Sequence, residues 1–110
     1  MSHSVIIPVK DSAAASAFYT VAFGQEPHTD TPYYVGFNVG GQEIGLNPNG
    51  HAGGMTGTVV FWSVDDVAAK VAEAEAAGAT VVQPATEVGG GVITAIVTDT
   101  EGNQLGFISQ

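Results

Sequence analysis

Glu43, in "GGQEIGLN", and the tyrosines of "PYYVG" are the side chains of this sequence best suited to handling a proton. A carboxylate or phenol in an apolar setting works as a general base when a substrate proton lies within hydrogen-bond reach. Glu43 reads equally as a solvated strand carboxylate or as a ligand contact, and if buried it needs a partner in a chain whose only basic residues are Lys10 and Lys70. Tyr33 and Tyr34 are neighbours, so a strand turns only one of them to a given face. His28 and His51 sit among loop residues, where a surface histidine is the default. "GGG" at Gly89–Gly91 lacks both the following helix and the lysine of a phosphate loop, so it reads as a hairpin turn. No Ser-His-Asp order and no paired-carboxylate spacing is present, and no catalytic residue is assigned.

Glycine supplies a second clue. In the closing "DTEGNQLGFIS", Gly106 stands between Leu105 and Phe107, inside a segment that reads as a strand. A strand glycine gives up packing and backbone entropy, and so marks a close approach or a vacated position. "GQEIGLN" resembles "GNQLGFI", which sets Gly45 opposite Gly106.

The elements that position these residues come in two similar sets. Residues 4 to 10, "SVIIPVK", read as a strand that Pro8 demotes to an edge or a bulge. Asp11 is an N-cap for "SAAASAFYTVAFG", with Ala15, Phe18, Tyr19 and Ala22 at helical spacing and Gly24 as the stop. "YYVGFNVGGQEIGLN" reads as a hairpin turned by "GG", and "EPHTDT" holds a short strand if the unit is β-α-β-β-β. "PNGHAGGMTG" is rich in breakers and reads as a linker. The order then repeats: "TVVFWSV" as a strand, Asp65 capping a helix with Val67, Val71, Ala74 and Gly78 on one face, and three strands in "TVVQPA", "GGGVITAIVTD" and "NQLGFIS". Asp11 to Gly24 and Asp65 to Gly78 span the same distance, as an internal duplication would. Trp62, alternating with Phe61, is expected to face the helices as core.

At 110 residues the chain fits one domain, 1–110. It has no cysteine, which removes disulfides, iron–sulfur clusters and thiolate zinc sites. No window nears the roughly 20 apolar residues that span a bilayer, and the start lacks a signal-peptide pattern, so a cytoplasmic location is expected. A net charge of -9 repels phosphate backbones and anionic lipids, so neither nucleic acid nor membrane is an expected partner. An acidic field concentrates cationic small molecules, although it also serves plain solubility.

The duplicated unit, with "VKDSAAASAFY" after the first strand, "SVDDVAAKVAEAEAAGATVV" in the middle and "VTDTEGNQLGF" at the end, resembles the vicinal-oxygen-chelate superfamily from about Ser4 to Ser109. That group holds glyoxalase I, extradiol dioxygenases, methylmalonyl-CoA epimerases, fosfomycin-inactivating transferases and bleomycin-resistance proteins. The resemblance implies an α+β fold of two tandem β-α-β-β-β modules, about 4–48 and about 57–109, forming a curved mixed sheet around a concave cleft. In the superfamily's metalloenzymes a divalent ion is held by a His or Gln on the first strand, a carboxylate on the strand closing the first module, a His on the first strand of the second and a Glu on the last. The matching positions are Ser4, seven before Asp11; Gly45; Val59, six before Asp65, or Thr58 under a one-residue shift; and Gly106. His3 adjoins Ser4, but a one-residue slip in a strand points it to the other face. Such ions need three or four N or O donors in one shell, so neither metal nor other cofactor is expected, and the superfamily's metal-dependent reactions lose their means of polarising substrate.

By the same resemblance the cleft is lined by Ser4, Ile6 and Pro8, by Val59, Phe61 and Ser63, and by Tyr34, Gly36 and Asn38. With Gly45 and Gly106 inward, alternation adds Glu43, Asn47, Gln104 and Ile108, and the two glycines are expected to deepen the floor. The expected function is a small-molecule binding protein of the bleomycin-resistance type, without metal, with a cationic ligand favoured by charge and antibiotic sequestration as one use. The alternatives are a metal-independent lyase or isomerase using Glu43 or a tyrosine as proton acceptor, and a metalloenzyme with shifted ligands. A homodimer is expected, since dimers are common in the superfamily and small sheets leave edges to cover.

Overall fold

Asp11 and Gly24 bracket a helix for reasons local to each. In the computed structural model, which describes residues 3–110, Asp11 is extended and its carboxylate accepts from the Ala14 N–H at 3.0 Å. Helix α1 (Ser12–Phe23) follows and ends at Gly24, whose φ of 71° is left-handed. Helix α2 (Val67–Ala76) starts in the same way, but its capping carboxylate is Asp66, which accepts from the Ala69 N–H at 3.0 Å, and not Asp65. The two aspartates are chemically equal; the choice falls to the start that buries Val67 and Val71. With Asp66 as the cap, the first strand of each half begins seven residues before its cap, at Ser4 and at Val59.

The chain divides into two compact units, the first ending at Thr58 and the second running Val59–Gln110. The first contains β1 (Ser4–Pro8), α1, β2 (Thr29–Asp30), β3 (Val35–Val39) and β4 (Gln42–Asn47), with strand order β2-β3-β4-β1. The β1–β4 pair is parallel and the others are antiparallel. The β3–β4 turn is Gly40-Gly41, both at positive φ (59° and 89°), as a two-residue hairpin requires. The helix-side face of this sheet is the core: Val35, Phe37 and Leu46 are buried, with Ile7, Val9, Ala15, Tyr19, Phe23 and Val39 packed on them. Phe37 has no exposed surface, and removing such a ring costs about 3–5 kcal/mol.

The second unit repeats the plan with β5 (Val59–Ser63), α2, β6 (Thr80–Glu87), β7 (Ile93–Thr98) and β8 (Gln104–Ser109), in the order β5-β8-β7-β6. Val67, Val71, Ala95, Val97 and Phe107 form its core. The β6–β7 register shifts on both sides of Gln83, near Pro84, which cannot donate to a ladder. The fold is thus α+β, built of two β-α-β-β-β modules, as the sequence leads one to expect. No helix among the described residues is long and apolar enough to cross a membrane.

Three further expectations change. Phe18 is 64% exposed, and the face of α1 on the sheet is Ala15, Tyr19 and Phe23 instead. Phe18 lies about 100° around the helix from Tyr19, at the rim of the apolar stripe, and the sheet leaves that rim uncovered. Trp62 pairs in register with the core residue Phe107, yet it is 47% exposed and not core. The "PNGHAGGMTG" stretch is not a plain linker: Met55 is 4% exposed, its N–H donates to the Gly50 carbonyl at 3.0 Å, and Gly50 lies so close to Pro8 of β1 that a Cβ there would stand 2.7 Å from the proline ring.

Candidate functional site

Alternation sorts the first module's residues between two faces. Register pairs Ser4 with Glu43, Ile6 with Gly45 and Pro8 with Asn47, while Gly36 faces Gly45 and Asn38 faces Glu43. These residues therefore share the face turned away from α1, together with Thr29, which pairs with Gly36. Tyr34 precedes β3 in the same phase, so Tyr34 and not Tyr33 joins them; Tyr33 is 76% exposed.

Glu43 is the centre of this face. Its Oε2 accepts a hydrogen bond from the Tyr34 hydroxyl, and its Oε1 lies 2.8 Å from His28 Nε2. His28 Nδ1 in turn lies 2.8 Å from Thr29 Oγ1. A carboxylate only accepts, so Nε2 carries the proton, and in neutral His28 the Nδ1 accepts from the Thr29 hydroxyl. The partner Glu43 needs in place of a lysine is this pair of donors. The Glu43 side chain is 23% exposed and that of His28 45%, so the group is open to solvent on the histidine side. Burial first, then the hydrogen bond to Glu43 and its negative charge, push the Tyr34 phenol well above the usual tyrosine range. Tyr34 therefore keeps its proton at physiological pH and donates it in the hydrogen bond to Glu43.

The glycines do not form an open floor. The Tyr34 ring and hydroxyl stand where a Cβ on Gly45 would go. A Cβ on Gly36 would meet the His28 and Tyr34 rings at 2.7 Å and the Glu43 carboxylate at 2.8 Å. In the second module the Phe61 ring lies in the same way over Gly106, its register partner. These glycines let an aromatic ring come closer to the sheet backbone than any side chain would allow.

The other expected contacts divide. Asn38 Oδ1 accepts from the Gly41 N–H at 3.0 Å and Asn47 Oδ1 from the Asn49 N–H at 2.8 Å, so both oxygens serve turns. In the second module Phe61 pairs with Gly106 and Ser63 with Ile108, and alternation adds Val59 and Gln104 to their face. His51 is exposed in a turn. His28, read from sequence as a surface loop residue, is the partner that sequence reasoning missed. The signal was thin: β2 is two residues long, and its register on β3, closed by the His28 N–H to the Gly36 carbonyl at 2.8 Å, carries the ring to Glu43.

The donor chemistry at the positions where the superfamily's metalloenzymes bind a divalent ion can be judged in each module by itself. Ser4 and Gly45 offer one hydroxyl; Val59 and Gly106 offer nothing, and both glycines lie under rings. These residues do not fit a divalent ion. Among the described residues no group of three His, Asp or Glu side chains could hold one either.

The family profile of the Glyoxalase/Bleomycin resistance protein/Dioxygenase superfamily matches residues 2–107. A search of curated protein sequences gives no match. Among solved structures, the chain is similar to an NAD-dependent benzaldehyde dehydrogenase from Legionella pneumophila, at a TM-score of 0.80, 19% identity and 97% coverage of both chains. It is also similar to a superfamily member from Vibrio splendidus 12B01 (TM-score 0.69, 16% identity, 98% of this chain and 97% of that one). A variant methylmalonyl-CoA epimerase from Streptomyces coelicolor, in complex with 2-nitronate-propionyl-CoA, gives a TM-score of 0.68 at 16% identity, over 97% of this chain and 92% of that one. At such identities the likeness concerns the fold alone. The profile match over nearly the whole chain and the two β-α-β-β-β modules agree: the chain belongs to the glyoxalase/bleomycin resistance protein/dioxygenase superfamily.

Proposed function

We propose that this chain is a metal-free small-molecule binding protein of the bleomycin-resistance type, which anchors a cationic ligand on the face of its first module through Glu43. The observation that carries this reading is the Glu43 carboxylate, held at a sheet face by Tyr34 and His28 with no Lys or Arg beside it. A carboxylate has about four acceptor sites, so a ligand ammonium or guanidinium can add to the two donors already bound. The charge of -9 supports the same ligand class by raising the local concentration of cations. Antibiotic sequestration is one use such a site would serve.

The test is calorimetric titration with cationic glycopeptide antibiotics and with neutral analogues of similar size. Binding of the cationic series, weakened about tenfold or more by Glu43→Gln, is the expected result. Equal binding to Glu43→Gln, or none by any cationic compound, overturns the reading.

A metal-independent enzyme is the second reading, and one observation favours it: His28 lies between Thr29 and Glu43, an order in which a carboxylate orients an imidazole as general base. It would show as turnover that His28→Gln abolishes while leaving ligand affinity intact.

A further inference from the structure

Tyr34 occupies a slot whose parts do not depend on it. The floor is the Gly36–Gly45 register pair, one wall is the His28 ring, and the far end is Glu43 Oε2. The floor is bare backbone that a ring approaches closely. The end is an acceptor already fixed on its other oxygen by His28. Tyr34 itself lies outside β3, and its backbone is tied independently: its N–H donates to Thr31 Oγ1 and its carbonyl accepts from the Thr31 N–H, both at 3.0 Å. The side chain can thus leave by rotation about its own χ1 without breaking a ladder hydrogen bond.

We propose that this slot is a binding subsite for the hydroxyaryl ring of a ligand, and that Tyr34 is an internal occupant which the ligand displaces. This rests on the reading of the first-module face as a ligand site, and adds that the ligand carries a phenol. Chemistry selects the class. A ring without a hydroxyl leaves Glu43 Oε2 short of the donor Tyr34 gives it, and an unpaired, partly buried acceptor is penalised. A branched aliphatic group likewise offers Glu43 Oε2 no donor. An internal occupant also lowers apparent affinity by the fraction of time the slot is open, so emptying it should strengthen binding.

The probe is p-cresol, the tyrosine side chain as a free molecule, with toluene as the same ring lacking the hydroxyl. Tyr34→Ala, with a circular dichroism spectrum matching the native chain, should bind p-cresol at least about tenfold more tightly than the native chain does, and at least about tenfold more tightly than it binds toluene. The preference over toluene should vanish in Tyr34→Ala/Glu43→Gln. Equal affinity for the two compounds, or no gain over the native chain, overturns the proposal. Should Tyr34→Ala fail to fold, the native chain with 13C-labelled tyrosines answers instead. The ring signals of Tyr34 should move on addition of p-cresol while those of Tyr19 and Tyr33 stay; no selective movement overturns the proposal. Failure here with Glu43-dependent binding of cations intact would remove the phenol subsite and leave the binding-protein reading standing.

Discussion

At the scale of single residues, Tyr34 and Gly45 form one unit. Gly45→Ala pushes a methyl into the Tyr34 ring and should cost about 1–3 kcal/mol in urea unfolding. Added to Tyr34→Ala, the same methyl meets no ring, so the double variant should be less destabilised than the sum of the singles, by about 1 kcal/mol or more. Tyr34 also carries a pH signature. Its proton is held more tightly in the folded chain than at the ordinary tyrosine value near 10, so the stability it contributes is complete below about pH 10 and is lost as pH rises beyond it. The stability gap between the native chain and Tyr34→Phe, about 1 kcal/mol at pH 8, should narrow between about pH 10 and 12 in chemical denaturation. Sequence placed Glu43 and Gly45 on one face by alternation, and the family resemblance added Tyr34 to it. It did not show that the ring covers the glycine, because that depends on a rotamer and on a two-residue strand that brings His28 across.

At the scale of elements, the helix starts are the sharpest case. Asp11→Ala and Asp66→Ala should each cost about 1 kcal/mol, whereas Asp65→Ala should stay within about 0.5 kcal/mol, all read from urea midpoints at constant slope. The sequence of α1 carried both of its own boundaries, since one aspartate precedes it and one left-handed glycine follows. That of α2 offered two adjacent aspartates, and only the burial of Val67 and Val71 decides between them. The exposed faces of Phe18 and Trp62 were illegible for a related reason: periodicity gives the side of an element a residue occupies, not how much of that side is covered.

At the scale of the whole molecule, charge is the property that no single contact expresses. Affinity for a cationic ligand should fall several-fold between about 0.05 and about 0.5 M salt, and that for an uncharged analogue should stay level. The duplicated plan was readable in the repeat of cap, stop and strand glycine, and both modules share one strand order. What the duplication concealed is that each copy fills its glycine from a different direction, the first with a ring from ahead of β3 and the second with a ring from β5, the register neighbour of the glycine's own strand. In this chain, therefore, a side chain at position 45 and the Tyr34 ring compete for one volume, as do a side chain at 106 and the Phe61 ring, so either position can be given a carboxylate only together with a small residue in place of its ring.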